Sequence, residues 1–129
     1  MLTNKVILVT GGCGLIGKEI VRDIKKKGGI PINGDISIST NWENGTYHLD
    51  MCDDSNLLSF INETYQYYGR IDGLVNSGYP RTKDWGCFFE DVPIESWRKN
   101  VDMQLNSCFI MCQTVLQLMK KQRSGSIVN

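Results

Sequence analysis

The run Lys5-Val6-Ile7-Leu8-Val9-Thr10, followed by Gly11-Gly12-Cys13-Gly14-Leu15-Ile16-Gly17, constrains the fold of this chain more than any other segment. A short unbroken apolar run rich in β-branched residues fits a strand buried on both faces, as in a parallel sheet. Beyond the glycines, Leu15, Ile16, Ile20, Val21 and Ile24 recur at helical spacing. Lys25, Lys26 and Lys27 suit the C-terminus of that helix, and Gly28-Gly29 the turn after it. Strand, glycine turn and helix N-terminus, from Val6 to Ile20, together make a cradle for a pyrophosphate. Unpaired N–H groups and the positive end of the helix dipole meet its oxygens.

The rest of the chain repeats the alternation. Ile30 to Ile36 reads as a second strand, Ser37 to Asn44 as a polar loop containing Trp42, and Thr46 to Leu49 as a third strand. Asp53-Asp54-Ser55 caps a helix running to Tyr68, which Gly69-Arg70 ends. Ile71 to Asn76 is a fourth strand. Tyr79 to Pro93 is a long aromatic loop, of a length that is usually functional inside a compact domain. Ile94 to Lys121 reads as one long helix with an apolar stripe through Trp97, Val101, Leu105, Phe109, Cys112 and Leu116. Ser126 to Asn129 opens a fifth strand. Strands alternating with helices predict one α/β domain over 1–129, a doubly wound parallel sheet with right-handed crossovers.

The glycines can be read in two frames. Gly12, Gly14 and Gly17 satisfy G-x-G-x-x-G, the dinucleotide fingerprint. Its second element is an acidic residue about twenty positions on, which Asp35 supplies at the end of the second strand. A carboxylate there accepts hydrogen bonds from the adenosine ribose hydroxyls and repels a 2′-phosphate, so NAD is expected over NADP. Gly12 to Lys18 also approaches a P-loop, but Glu19 stands where a hydroxyl should reach magnesium, and the NTPase reading is set aside. A glycine turn that binds nothing is the plain alternative.

Composition narrows the partners. Net charge is +0, which gives no electrostatic case for nucleic acid. No apolar run reaches the length of a membrane span, and a cytoplasmic location is expected. The five cysteines are scattered without a CxxC pair and read as reduced thiols, with no metal site.

Thr10-Gly11-x-x-Gly14-x-x-Gly17 resembles the short-chain dehydrogenase/reductase family, in the spacing of its sugar-nucleotide-modifying branch. Asp50-Met51 resembles the aspartate station that meets the adenine amino group. Asp72-Gly73-Leu74-Val75-Asn76-Ser77-Gly78 resembles the strand-four segment in which the asparagine steadies the sheet and the small residues line the cofactor. Asn76 to Arg81 and Lys83 to Gly86 resemble the flagellin modification protein A group, oxidoreductases associated with sugars on bacterial flagellin. The resemblance implies a Rossmann-like sheet of order 3-2-1-4-5, ending here after its fifth strand. It implies cofactor contacts at Gly11, Cys13, Gly14, Leu15, Ile16, Gly17, Asp35, Ile36, Asp50, Met51, Asn76, Ser77 and Gly78.

The family's catalytic set is Asn, Ser, Tyr and Lys. In the long helix Gln104 takes the asparagine's place, and Asn106, two residues on, should point elsewhere. The resemblance places the serine a few residues after the fifth strand and the Tyr-x-x-x-Lys pair beyond it, and the 129 residues end before all three, so the chain is read as the N-terminal half of a longer enzyme that lacks the acid/base. The leading expectation is an NAD(P)-dependent oxidoreductase acting on a small sugar-type substrate. A module that holds NAD without turnover is the alternative. Homo-oligomers are expected through the 94–121 helix. Arg81 and Lys83 are candidates to meet an anionic substrate group, or are solvated loop charges.

Overall fold

The computed structural model describes residues Met1 to Asn129. Five strands, β1 (Val6–Thr10), β2 (Ile30–Asp35), β3 (Thr46–His48), β4 (Gly73–Asn76) and β5 (Ser126–Val128), form one sheet in the order β3-β2-β1-β4-β5. All pairs are parallel, with Val6 opposite Ile30 and Leu8 opposite both Ile32 and Leu74. Helices α1 (Gly17–Lys26), α2 (Asp54–Tyr68), α3 (Ile94–Val101) and α4 (Ser107–Gln122) supply the crossovers. This is the expected doubly wound, Rossmann-like order.

The unbroken apolar run of β1 is explained by its two faces. Val6 and Leu8 join Ile32, Leu74, the α2 residues Leu57, Phe60 and Ile61, and the α4 residues Met111, Val115 and Met119 in the main core. Ile7 and Val9 point the other way and meet Ile24 of α1. Asp53 caps α2 by accepting from the N–H groups of Ser55 and Asn56, as its sequence signal predicts. Gly69 closes that helix in the left-handed conformation, φ 73°.

Three details depart from the sequence pattern. Residues 37–44 are more than a polar loop. Asn41 bridges Thr46, Thr46 Oγ1 donates to the Ser39 carbonyl, and Trp42 packs on the core and stacks on Tyr67. These contacts cover the outer edge of β3, which would otherwise expose unpaired backbone groups. The long helix is not uniform: Asp102–Asn106 winds as a π-turn between α3 and α4. Polar side chains in this stretch compete for carbonyls, Asn100 Nδ2 donating to Ser96 O at 2.7 Å and Ser107 Oγ to Met103 O at 2.5 Å. Such back-bonding loosens the α ladder, and an apolar stripe carries no trace of it.

The third departure is at the start of β4, which begins at Gly73 rather than Ile71. Asp72 turns inward instead and is 9% exposed. Its carboxylate accepts from Arg70 Nε at 2.7 Å and Nη2 at 2.6 Å, from Lys5 Nζ at 3.3 Å and from the Val6 N–H at 3.0 Å. The Arg70 hydrogen bonds, against the cost of burial, hold its pKa at about 2. A depressed carboxyl contributes stability that is present above its unfolded pKa near 4 and lost as pH falls through about 2. Because Arg70 and Lys5 are half exposed, the contribution is discounted to about 1–2 kcal/mol. Asp72→Asn should therefore lower stability by that amount at pH 7, and urea unfolding should show roughly half of the difference gone by pH 3.

Candidate functional site

Strand order reverses between β1 and β4, so the chain leaves their C-terminal ends in opposite directions and opens a crevice there. A cleft of about 720 Å³ occupies that place. The glycine turn forms its first wall. Gly11 holds φ 65°, and a Cβ there would lie 2.6 Å from the Gly78 Cα. A Cβ on Gly17 would strike the Gly11 carbonyl. Gly11, Gly14 and Gly17 line the cleft, together with Leu15 and Ile16. Gly12 does not line it and instead abuts the Asn33 side chain. The spacing Thr10-Gly11-x-x-Gly14-x-x-Gly17, and not Gly12-x-Gly14-x-x-Gly17, is thus the one that shapes the cleft.

The N-terminus of α1 opens on this wall without a side-chain cap. The N–H groups of Leu15, Ile16 and Gly17 have no acceptor within the chain, the first helical bonds being Lys18 to Gly14 and then Glu19 and Ile20 to Ile16. Three free donors at the positive end of a helix, with no Cβ over Gly17, fit a pyrophosphate.

Asp35 and Ile36 form the next wall, at the end of β2. Asp35 Oδ2 accepts from the Cys13 N–H at 2.9 Å, and Oδ1 accepts from the Ser37 N–H at 2.9 Å and Oγ at 2.7 Å. Burial opposes its ionisation, but the bonds from Ser37 and Cys13 outweigh it and hold the carboxyl below its usual value. The ionised carboxylate is therefore positioned before any ligand arrives, and it ties the glycine turn to β2. Cys13 takes part through its backbone; its side chain does not line the cleft, and its Sγ accepts weakly from Asn33 Nδ2 at 3.5 Å. Ser37 is a site residue that sequence reasoning missed. A serine two positions after an aspartate is the ordinary signal of such a turn.

Asp50 and Met51 bring in the segment after β3, and Ser77 and Gly78 the segment after β4. Asp50 Oδ1 accepts from the Cys52 N–H at 2.8 Å. Gly78 is required because a Cβ would run into Met51 Sδ and come within 3.1 Å of Thr10 Oγ1. Thr10 itself was missed as a site residue. Its fully buried hydroxyl accepts from the Ser77 N–H at 3.1 Å and the Gly78 N–H at 3.0 Å, joining the ends of β1 and β4.

Two expected residues lie elsewhere. Asn76 does not line the cleft: its Nδ2 donates to Asn129 Oδ1 at 2.7 Å, linking β4 to the end of β5. Gln104 does not line it either. It sits in the π-turn and donates from Nε2 to the Pro80 carbonyl at 3.0 Å. Asn106 points away, to Asp102, as its spacing predicts. Tyr79, Pro80, Arg81 and Met103 line the cleft too, and Gly34, Leu49 and Cys52 complete the lining. Met103 left no sequence signal, since an apolar residue on a helix reads as core.

The family model described as short chain dehydrogenase matches residues 5–129. Post-translational flagellin modification protein A of Campylobacter coli is 33% identical over 142 residues, an alignment covering 100% of this chain and 56% of that protein. The chain spans about half the length of the curated relatives it matches. A short chain dehydrogenase of Leptospira borgpetersenii with bound NAD+ shares the fold at TM-score 0.81 and 24% identity, covering 98% of this chain and 50% of that one. ElxO with NADP bound does so at TM-score 0.84 and 24% identity, covering 98% and 55%. Neighbours of this fold thus hold both forms of the cofactor.

Thr10→Val keeps the shape and removes the acceptor, leaving two N–H groups without a partner. It should cost about 1–3 kcal/mol in denaturant unfolding. Amide exchange should quicken at Ser77 and Gly78 before the rest of β4.

Proposed function

The chain belongs to the short-chain dehydrogenase family, and from that membership we propose that it is the cofactor-holding part of an NAD-dependent oxidoreductase acting on a sugar or sugar-nucleotide. The observation that carries the reading is the set of free N–H groups at Leu15, Ile16 and Gly17 beside the preset carboxylate of Asp35. Bound NAD supplies a carbon that accepts or donates hydride against a carbinol or carbonyl. The chain's own residues bind and orient it. The glycine turn and α1 hold the pyrophosphate, Asp35 accepts from the adenosine ribose, and Ile36, Asp50 and Met51 border the adenine.

The preference for NAD rests on Asp35, an anion where a 2′-phosphate would lie, with no arginine beside it. The sugar-type substrate rests on the likeness to flagellin modification protein A and on the segment from Asn76 to Arg81 that resembles that group. Gln104 takes the place of the family's catalytic asparagine and acts here by positioning Pro80, which lines the cleft. That engagement of its amide also favours a second reading, a module that holds NAD without turnover.

Calorimetric titration tests the cofactor reading. NAD should bind more tightly than NADP, and Asp35→Ala should weaken NAD about tenfold and narrow the gap between the two. No heat with millimolar NAD would contradict the reading. Appearance of reduced cofactor on adding sugar-nucleotide separates enzyme from binding module.

We also propose a homo-oligomer through the α3–α4 helix. Trp97, Leu105 and Phe109 are each about 60% exposed along one stripe, with Val101 and Leu116 beside them. Sedimentation velocity should find a dimer or larger species, and Leu105→Glu should shift it to monomer.

A further inference from the structure

The cleft contains one cation. Asp35 and Asp50 are its acids, and Arg81 is the only basic residue among its lining. Arg22, Arg70 and Arg98 each pair with a carboxylate, whereas Arg81 makes no ion pair and no hydrogen bond within the chain. Its guanidinium lies over the Tyr79 ring, 5.9 Å from the centroid, and Trp85 meets the same ring edge-on at 5.4 Å. A guanidinium resting on an aromatic face keeps its hydrogen-bond donors free at its rim.

The backbone on both sides of Arg81 is anchored to the long helix. Before it, the Pro80 carbonyl accepts from Gln104 at 3.0 Å. After it, the Thr82 N–H donates to Asn100 Oδ1 at 3.0 Å, and Asn100 Nδ2 donates back to Thr82 Oγ1 at 2.7 Å. Asn100 is 5% exposed and uses its remaining proton on Ser96 O. Two residues further on, Asp84 Oδ2 accepts from Ser96 Oγ at 2.5 Å. A loop that would otherwise sample many conformations thus presents one free cation to the cleft from a fixed place. Lys83, its neighbour in sequence, is exposed and does not line the cleft.

We infer that Arg81 is a specificity-determining residue that selects substrates carrying an anionic group, a carboxylate or a phosphate, over neutral sugars. The inference rests on the cofactor reading above and deepens it. The pyrophosphate of the cofactor is met by the α1 N-terminus, so the unpaired guanidinium on the wall after β4 is left for the second ligand. Two oxygens of a carboxylate or of a phosphate are met by its paired donors, which a lysine does not reproduce.

Titration calorimetry on the chain saturated with NAD is the test, with four probes: UDP-glucose, glucuronate, UDP-glucuronate and glucose. UDP-glucose offers phosphate alone, glucuronate offers carboxylate alone, and their relative affinities assign the anion. Glucose should bind more weakly than the charged probes. Arg81→Gln should weaken the anionic probes about tenfold or more, change NAD affinity less than about twofold, and leave the unfolding midpoint in place because the side chain is exposed. Arg81→Lys should recover part of the loss, and Lys83→Gln should change nothing. The inference is overturned if Arg81→Gln binds the anionic probes as the parent does, or if NAD affinity falls in step with theirs, which would make Arg81 a cofactor contact. It is overturned too if NAD binds and no anionic probe does. An absence of NAD binding in the parent removes the cofactor reading and this inference together.

Discussion

The cleft exists because the ends of β1 and β4 come close enough for the Thr10 hydroxyl to take two N–H groups from the neighbouring strand. That approach leaves no room for a side chain at Gly11 or Gly78. It also sets the point from which the chain departs in opposite directions, toward α1 on one side and toward the loop after β4 on the other. The glycine turn, the free end of α1 and the Arg81 wall all take their positions from this junction. A buried hydroxyl with two donors matters as a constraint as well as a bond energy, since its loss leaves both donors without their acceptor.

Around that junction the polar groups are arranged before any ligand arrives. Asp35 is held by Cys13 and Ser37, and the segment Pro80–Thr82 is held by Gln104 and Asn100. The N–H groups of Leu15, Ile16 and Gly17 and the guanidinium of Arg81 are left without partners at the cleft. A site preset in this way loses less ordering entropy on binding. The π-turn contributes by placing Met103 in the cleft and Gln104 on Pro80 in consecutive positions of one helix. An extra residue in a helical turn is a common device for aiming side chains at a site.

Much of this was legible in the chain itself. The parallel strand-helix alternation and the caps of α2 followed from local signals, because apolar runs, glycines and a capping aspartate act over a few residues, whereas the sheet order came from the resemblance to a family. The glycine turn was legible as a phosphate cradle, although its frame was ambiguous until Gly12 was seen to face Asn33 and not the cleft. Resemblance gave Asn76 both a sheet-steadying role and a cofactor contact and placed Gln104 at the reaction; Asn76 ties β4 to the end of β5 and does not line the cleft, and Gln104 is turned to Pro80. Thr10, Ser37 and Met103 went unread as site residues because a threonine, a serine and a methionine have many uses.

By itself the sequence determined a parallel α/β domain, its family, and a strand-turn-helix unit with Asp35 downstream. The domain and the unit depend on side-chain period and backbone freedom at glycine, which are local, and the family on the resemblance of motifs spaced from Thr10 to Gly78. Only the tertiary structure decided which glycines face the cleft, that Asp35 is preset, and that Arg81 and not Lys83 enters the site. It also decided that Asp72 is a buried ion-pair hub rather than the second residue of a strand. Each of these depends on contacts between residues far apart in the chain. Distance across a fold is set by packing, which spacing along a sequence does not contain.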